Sequence, residues 1–173
     1  VDNELVVEEK GIYSVEKFLV ARRLMYWQVY LHKTSLAAEQ LLIRVLKRAK
    51  ELTSLGVDLK ASAALQFFLK QEITSENFNR ETLDVFARLD DYDIIAAMKE
   101  WQFHEDFVLK NLCEMLINRD LLKVKLKNKK IKKEKLQVHA QKLMETYGIS
   151  NEEANYFVFT GEISNQAYQI KKQ

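Results

Sequence analysis

The chain has no proline and only four glycines in 173 residues, and this scarcity of turn-forming residues constrains its fold most strongly. Average usage would be about 5% proline and about 7% glycine. A β-sandwich or barrel reverses direction at the end of every strand and needs many more such residues. Hydrophobic residues make up 47% of the chain, which is enough to fill a core and excludes intrinsic disorder. We therefore expect a mainly α-helical fold.

Apolar residues recur every three to four positions along most of the chain, and this spacing predicts a series of helices. The expected helices cover residues 14–32, 36–52, 60–71, 82–89, 93–101, 106–117 and 133–147. Ser14 is the expected N-cap of the first helix. Gly56 and Gly148 follow two of the others, where a left-handed residue commonly ends a helix. Two other segments instead predict strands: residues 122–127, where apolar residues alternate with lysine, and residues 156–160, which are aromatic or β-branched.

Charge divides the chain near Arg119. Residues 1–118 carry 15 basic and 19 acidic side chains, a net charge of −4, whereas residues 119–173 carry 12 and 6, a net charge of +6. We therefore expect a helical body over residues 1–118 and a small basic α+β appendage over residues 119–173, cut short at its C-terminus. Because the first residue is Val1 rather than methionine, we expect a fragment of a longer protein.

Cys113 is the only cysteine, so no internal disulfide can form. It lies in an apolar helical pattern, which predicts a buried core residue in a protein of the reducing cytoplasm. No apolar run approaches the roughly 18 residues that a membrane helix needs, and we expect no membrane partner.

One helical stripe combines cationic and phenolic side chains. Its members are Arg22, Tyr26, Tyr30 and Lys33, with Met25 and Val29 expected to face the core beside them. Spacings of four, four and three place the stripe on one face of a helix. A guanidinium, two phenols and an ammonium in line suit an anion that is joined to a flat or sugar-like group. The alternative is an ordinary helix whose long side chains leave only their polar ends in water.

Two acidic clusters are candidates for metal binding or for helix capping. Asp90–Asp93 precedes one apolar helical segment, and His104–Asp106 precedes another. Acidic side chains in such positions cap a helix N-terminus, and capping is the interpretation that we prefer. The chain has no His-Glu-x-x-His, cysteine pair, glycine-rich phosphate loop or nucleophile elbow. We therefore expect neither a catalytic residue nor a metal site in it.

Residues 123–135 hold eight lysines in thirteen positions. Such a run attracts nucleic acid through its phosphates, although the run lacks the aromatic residues of a single-strand platform. A solvated strand face is the plainer interpretation. The run keeps open an alternative function, as a non-catalytic nucleic-acid-binding or oligomerisation module. A third interpretation is a helical scaffold whose exposed apolar faces pack against the rest of a longer protein.

Three consecutive segments around the stripe, Tyr13–Leu19, Ala21–Tyr26 and Val29–Thr34, resemble the HD-domain phosphohydrolases. The resemblance is closest to the deoxynucleoside triphosphate triphosphohydrolases, which include bacterial dGTPase-like proteins and the eukaryotic SAM-and-HD-domain enzyme. Residues 89–94 and 117–123 also resemble segments of this family, in the same order.

This resemblance implies a mostly helical enzyme that splits a dNTP into deoxynucleoside and triphosphate with a divalent metal. It implies that Arg22 grips the triphosphate and that Tyr30 lies against the deoxyribose, with Tyr26 beside them. It also implies a second set, at positions that touch regulatory nucleotides at subunit contacts in the eukaryotic relative, so we expect a homo-oligomer. That set comprises Lys10, His32, Lys33, Arg119 and Lys123.

The chain departs from the family pattern in several places. The paired His-Asp of the metal site has no counterpart in it, so we expect the parent enzyme to need a divalent metal and this C-terminal portion to be inactive alone. Leu31 and Tyr26 stand where the eukaryotic enzyme has Gln and His, and Gln28 replaces a basic residue of its regulatory site. The preferred nucleotide and the presence of effectors therefore stay open.

Overall fold

The computed structural model describes residues 6–127 and 131–161, and within these ranges it contains helices and connecting turns but no strand. The α-helices in them are α1 (Ile12–Met25), α2 (Lys33–Ser54), α3 (Ala63–Lys70), α4 (Arg80–Phe86), α5 (Asp91–Trp101), α6 (Phe107–Ile117), α7 (Lys133–Tyr147) and α8 (Asn151–Ala154). A short 3₁₀-helix (Glu9–Gly11) leads into α1, and a π-helix (Tyr26–Tyr30) continues it. The expected mainly α-helical class is confirmed.

The core forms between α2 and α6. Buried positions repeat every three to four residues on both helices, because each turns one apolar face inward. Leu41, Val45 and Leu109 are completely shielded from solvent. Arg48, late in α2, bonds Asp106 immediately before α6, so this part of α2 lies beside the start of α6. This pair supplies most of the fully buried core residues, and α3 and α5 pack against it.

Helices α3 and α5 complete the core on one side of this pair. Leu65 and Leu69 from α3, with Met98 and Trp101 from α5, belong to the same buried cluster. The indole Nε1 of Trp101 donates a hydrogen bond to the carbonyl of Lys60 (2.9 Å), so the only polar atom of that side chain is satisfied.

Several helix ends are set by a single residue, through its capping side chain or its backbone conformation. Asp90 and Asp93 form a capping box at the start of α5, and Asp106 caps α6 by accepting from a backbone amide 2.8 Å away. The capping interpretation of both acidic clusters is therefore confirmed. Gly148 ends α7 with φ of 68°, and Gly56 follows α2 with φ of 89°, a region that favours glycine.

Some predicted boundaries are wrong. Ser14 is not an N-cap, since α1 begins at Ile12 and Gly11 precedes it without a side-chain hydrogen bond. Helix α2 begins at Lys33 rather than at residue 36. His32 is its N-cap, because the Nδ1 atom of its ring accepts a hydrogen bond from the backbone amide of Thr34 (3.3 Å). Periodicity does not predict α8, which has a single turn.

The two predicted strands, 122–127 and 156–160, are wrong. Residues 122–127 have no regular structure, because no other strand of the described chain supplies backbone partners. The amides of Tyr156 and Phe157 instead donate to the carbonyls of Glu153 and Ala154 at the end of α8 (3.1 and 3.0 Å). The rings of Tyr156 and Phe157 pack against the core. The apolar residues that predicted a strand are therefore used for packing against the helices.

The described part of the appendage is thus helix and loop rather than α+β, and it rests on the body through aromatic rings. The ring of Phe107 on α6 lies 5.5 Å from that of Tyr147 and 6.1 Å from that of Phe157. The division of the chain near residue 118 stays a prediction. In the described part of the chain, no helix is long and apolar enough to cross a lipid bilayer.

Candidate functional site

The predicted stripe lies on α1 and on the π-helix that continues it. The amide of Leu31 reaches back five residues to the carbonyl of Tyr26 (2.9 Å), which is the widened turn of a π-helix. Such turns are rare and often lie at functional sites. At the end of this turn, Ser35 Oγ donates to the carbonyl of Val29 (2.9 Å), which ties the corner to the first turn of α2.

The structure brings three members of the stripe into one open groove. The groove has a volume of about 410 Å³, and its lining residues are Phe18, Ala21, Arg22, Met25, Tyr26 and Tyr30. Lys33 is not among them, because His32 is extended and interrupts the helical phase before α2 begins. The groove thus contains Arg22, Tyr26 and Tyr30 but not Lys33, so the four residues do not form one continuous stripe, and their role in binding stays a prediction.

Arg22 and the two phenols form a short stack inside the groove. The guanidinium carbon of Arg22 lies 5.6 Å from the ring centre of Tyr26, and the Tyr26 and Tyr30 ring centres are 5.1 Å apart. The Nε of Arg22 is shielded from water and finds no acceptor among the described residues. No carboxylate of the described chain forms an ion pair with this guanidinium. Chemically, the groove offers an uncompensated cation beside two phenol rings.

No residue of α1 or the π-helix is buried, although most of their side chains are apolar. The expectation that Met25 and Val29 face the core is wrong: they are 45% and 54% exposed. The reason is that this segment packs mainly along itself and against the start of α2. Spacing alone did not reveal Phe18 and Ala21 as groove residues, although Phe18 lies one turn before Arg22 and Ala21 one turn before Met25.

The second predicted set is only partly brought together. His32 and Lys33 are neighbours at the N-terminal end of α2, whereas Arg119 and Lys123 follow α6. Arg119 has φ of 59°, a left-handed conformation that non-glycine residues seldom adopt. Lys10 pairs with Glu8 (2.9 Å) before α1, and the length of α1 and the π-helix, about 25–30 Å, separates it from this end.

Lysines of the basic run are exposed wherever the structure describes them. They are Lys123, Lys125, Lys127, Lys132, Lys133 and Lys135, whereas Lys129 and Lys130 lie outside the described residues. None of the six described lysines forms an ion pair within the described chain. Their exposure fits a solvated surface, and the alternative function as a nucleic-acid module is not better supported than a phosphohydrolase.

A metal centre does not fit the described residues. Within residues 6–127 and 131–161, no group of three or more His, Cys, Asp or Glu side chains could hold an ion. The carboxylate of Asp106 is paired with Arg48, and the carboxylates of Asp90 and Asp93 accept the hydrogen bonds of their capping box. Cys113 is buried, and burial raises the pKa of its thiol to about 12, so it is a core residue rather than a nucleophile. We assign no reaction step to a metal in this chain.

Two arginines of α2 that the sequence analysis did not single out hold the appendage. Arg48 donates two hydrogen bonds to Asp106 (3.1 and 2.6 Å), and its guanidinium lies 5.8 Å from the Tyr156 ring. Burial alone would raise the pKa of Asp106, but the hydrogen bonds that its carboxylate accepts bring that pKa below its usual value. Arg44, one turn earlier, lies 3.2 Å from the Phe159 ring centre. The spacing of four between Arg44 and Arg48, which places them on one face of α2, was the feature of the sequence that could have indicated this role.

Comparison with known proteins places the groove in a family context. Residues 1–65, which include α1, the π-helix and α2, match the family model described as the HD associated region. The crystal structure of a phosphohydrolase from Bacteroides thetaiotaomicron is similar, with 48% sequence identity and a TM-score of 0.88. The similarity covers 96% of this chain and 42% of that one.

Curated relatives share shorter stretches. The chain is 33% identical over 120 residues to the uncharacterized protein YwfO of Bacillus subtilis, covering 69% of this chain and 26% of the relative. It is 27% identical over 117 residues to the MG461 homologue of Mycoplasma pneumoniae, covering 66% and 28%. The chain thus spans little more than a quarter of these relatives. Together, the similarities support an HD-type phosphohydrolase family.

Proposed function

We propose that this chain is the C-terminal portion of a phosphohydrolase that cleaves deoxynucleoside triphosphates, such as dGTP, to deoxynucleoside and triphosphate. In this proposal the groove of α1 and the π-helix contacts the substrate. The observation that carries it is the uncompensated guanidinium of Arg22, beside the rings of Tyr26 and Tyr30 in an open groove. The similarity of the chain to a phosphohydrolase supports the same class of reaction.

Arg22 binds the triphosphate in this account. Arginine presents a planar fork of N–H donors that matches two phosphate oxygens, and such charge-assisted hydrogen bonds are among the strongest in proteins. A guanidinium already paired with a carboxylate would offer fewer donors and less net charge. The absence of such a pair at Arg22 in the described chain therefore supports a role towards an external anion.

Tyr30 lies against the deoxyribose, and Tyr26 borders the groove between Tyr30 and Arg22. The Tyr30 side chain is 53% exposed and borders the groove, so a sugar can pack on its ring. A ribose 2′-hydroxyl would meet this ring, which would favour deoxynucleotides. The chain's own residues thus bind and orient the substrate, and the divalent metal that we expect in the whole enzyme supplies the activation of water.

We further propose that the enzyme is a homo-oligomer with a regulatory nucleotide at its subunit contacts. The residues proposed for that nucleotide are Lys10, His32, Lys33, Arg119 and Lys123. Their exposure and the strained backbone of Arg119 support this proposal, because strained residues concentrate at functional sites. Lys10 lies apart from the others within one chain, so it would reach the nucleotide of a neighbouring subunit.

The test is triphosphate release by the full-length phosphohydrolase that contains this chain, with each of the four dNTPs and Mn²⁺ or Mg²⁺. Arg22→Gln should lower kcat/KM for the preferred dNTP about 100-fold, because a charge-assisted phosphate contact is lost. Arg23→Gln is the matched control, since Arg23 is exposed on the same helix but does not line the groove. No release from any dNTP, or equal effects of the two substitutions, would contradict the proposal.

The 173-residue chain alone should release no triphosphate under the same conditions. If it instead bound single-stranded DNA with a steep salt dependence, and if that binding were lost on changing Lys123, Lys125 and Lys127 to Gln, the nucleic-acid module would be the better account. Filter binding between about 50 and 200 mM salt separates the two, because a protein that binds several phosphates loses orders of magnitude in affinity over this range.

A further inference from the structure

Arg22 and Arg48 are held in place in different ways. The guanidinium of Arg48 donates to both carboxylate oxygens of Asp106, and it also reaches Glu51 (3.4 Å). Arg22 has no such partner in the described chain, and its Nε is nevertheless shielded from water. A long, flexible side chain without an ion pair must be oriented by other contacts, or it loses entropy when it binds a ligand.

The contact that orients Arg22 is the ring of Tyr26. It lies one helical turn further along, with its centre 5.6 Å from the guanidinium carbon, within the range of a cation–π interaction. Tyr26 is only half-exposed, and its own ring is braced by Tyr30 at 5.1 Å. We propose that Tyr26 is a positioning residue: its ring, and not its hydroxyl, holds the Arg22 guanidinium towards the groove.

The chemistry explains why a ring serves better here than a carboxylate. A cation–π contact uses the face of the guanidinium and leaves the four N–H donors of its two terminal nitrogens unoccupied, so they can bind phosphate oxygens. A carboxylate would occupy two of those donors and would neutralise the charge that attracts the anion. The ring therefore pre-organises Arg22 without competing with the substrate. This inference rests on the proposed function, because it assumes that Arg22 binds the triphosphate.

A double-mutant cycle in the full-length phosphohydrolase tests it, with dGTP hydrolysis as one readout and calorimetric binding of inorganic triphosphate as the other. Tyr26→Leu should raise KM and the triphosphate Kd about fivefold, the usual size of a partly exposed cation–π contact, with little change in kcat. Tyr26→Phe keeps the ring and should restore both values to within about twofold. Tyr13→Leu removes an exposed tyrosine of α1 outside the groove and is the matched control.

The deciding variant is Arg22→Gln combined with Tyr26→Leu. If Tyr26 acts through Arg22, the second substitution has no further effect once the guanidinium is gone, and the double variant equals Arg22→Gln within about twofold. Additive effects, or a Tyr26→Phe variant as impaired as Tyr26→Leu, would overturn the inference and assign a direct substrate contact to the hydroxyl. An Arg22→Gln variant with wild-type activity would instead overturn the proposed function.

Discussion

The segment formed by α1 and the π-helix and the pair formed by α2 and α6 are both rich in apolar side chains, but only the pair buries them. Leu24 on α1 is 51% exposed, whereas Leu109 on α6 is completely buried. The groove residues thus lie on a segment that contributes nothing to the described core. The difference teaches that the groove proposed for binding and the buried core lie on separate helices, so we expect that each can be changed without the other.

The exposed segment still needs support, because isolated helices of this length are marginal in water. Part of that support comes from its corner with α2, where His32 caps the next helix and Ser35 bonds the carbonyl of Val29. Its wide apolar face agrees with the third interpretation of the sequence, a surface that packs against other parts of a longer protein. The similarity to a structure of which this chain covers 42% supports that interpretation.

The largest expected difference between the two regions is in stability. Leu109→Ala should lower the free energy of unfolding by about 3 kcal/mol, because it removes buried surface and leaves a cavity in a closed core. Leu24→Ala, the same substitution on the exposed segment, should cost less than about 1 kcal/mol. Urea unfolding followed by circular dichroism measures both. Equal losses would show that α1 is packed as tightly as α6.

A second contrast concerns ion pairs. Arg48→Met removes the partner of the half-buried Asp106 and should cost about 2–3 kcal/mol, since a shielded carboxylate is left uncompensated. Lys60→Met breaks the exposed pair of Lys60 with Glu100 (3.3 Å) and should cost less than about 0.5 kcal/mol. The same urea titrations give both values. A cost for Lys60→Met as large as for Arg48→Met would be incompatible with this reading of burial.

A smaller effect should be visible with pH. The hydrogen bonds to the Asp106 carboxylate lower its pKa, so the stability that it contributes is present above the pKa of an unfolded aspartate and is lost as pH falls through the folded value. The stability advantage of wild type over Asp106→Asn should shrink by about 1 kcal/mol between pH 5 and pH 2.5. Unfolding curves at several pH values measure this gap, and a constant gap would contradict the assignment.

Periodicity was a good guide where one face of a helix is buried. It placed α6 and α7 to within a residue, because apolar spacing and local caps such as Asp106 and Gly148 act together there. It failed at residues 122–127, where alternation of lysine with apolar residues has no neighbouring strand to pair with. A sheet depends on partners elsewhere in the chain, which a local pattern does not specify.

The sequence predicted several residues of the candidate site, but it did not predict their geometry. Spacing identified Arg22, Tyr26 and Tyr30 because i, i+4 neighbours meet on any helix. The same rule included Lys33 wrongly, since the π-turn and the extended His32 change the direction of the chain before α2. The stacking of Arg44 and Arg48 on rings of the appendage joins residues more than a hundred positions apart, which spacing cannot reveal.

Hydrogen exchange of the full-length protein, with and without dGTP and with divalent metal removed to prevent turnover, tests the proposed function most directly. We predict that dGTP at about ten times its Kd slows exchange up to about tenfold in peptides covering residues 18–33, with much smaller changes in the α2–α6 core. Unchanged exchange over residues 18–33, or slowing confined to the lysine-rich residues 123–135, would contradict the claim that the α1–π groove binds the nucleotide.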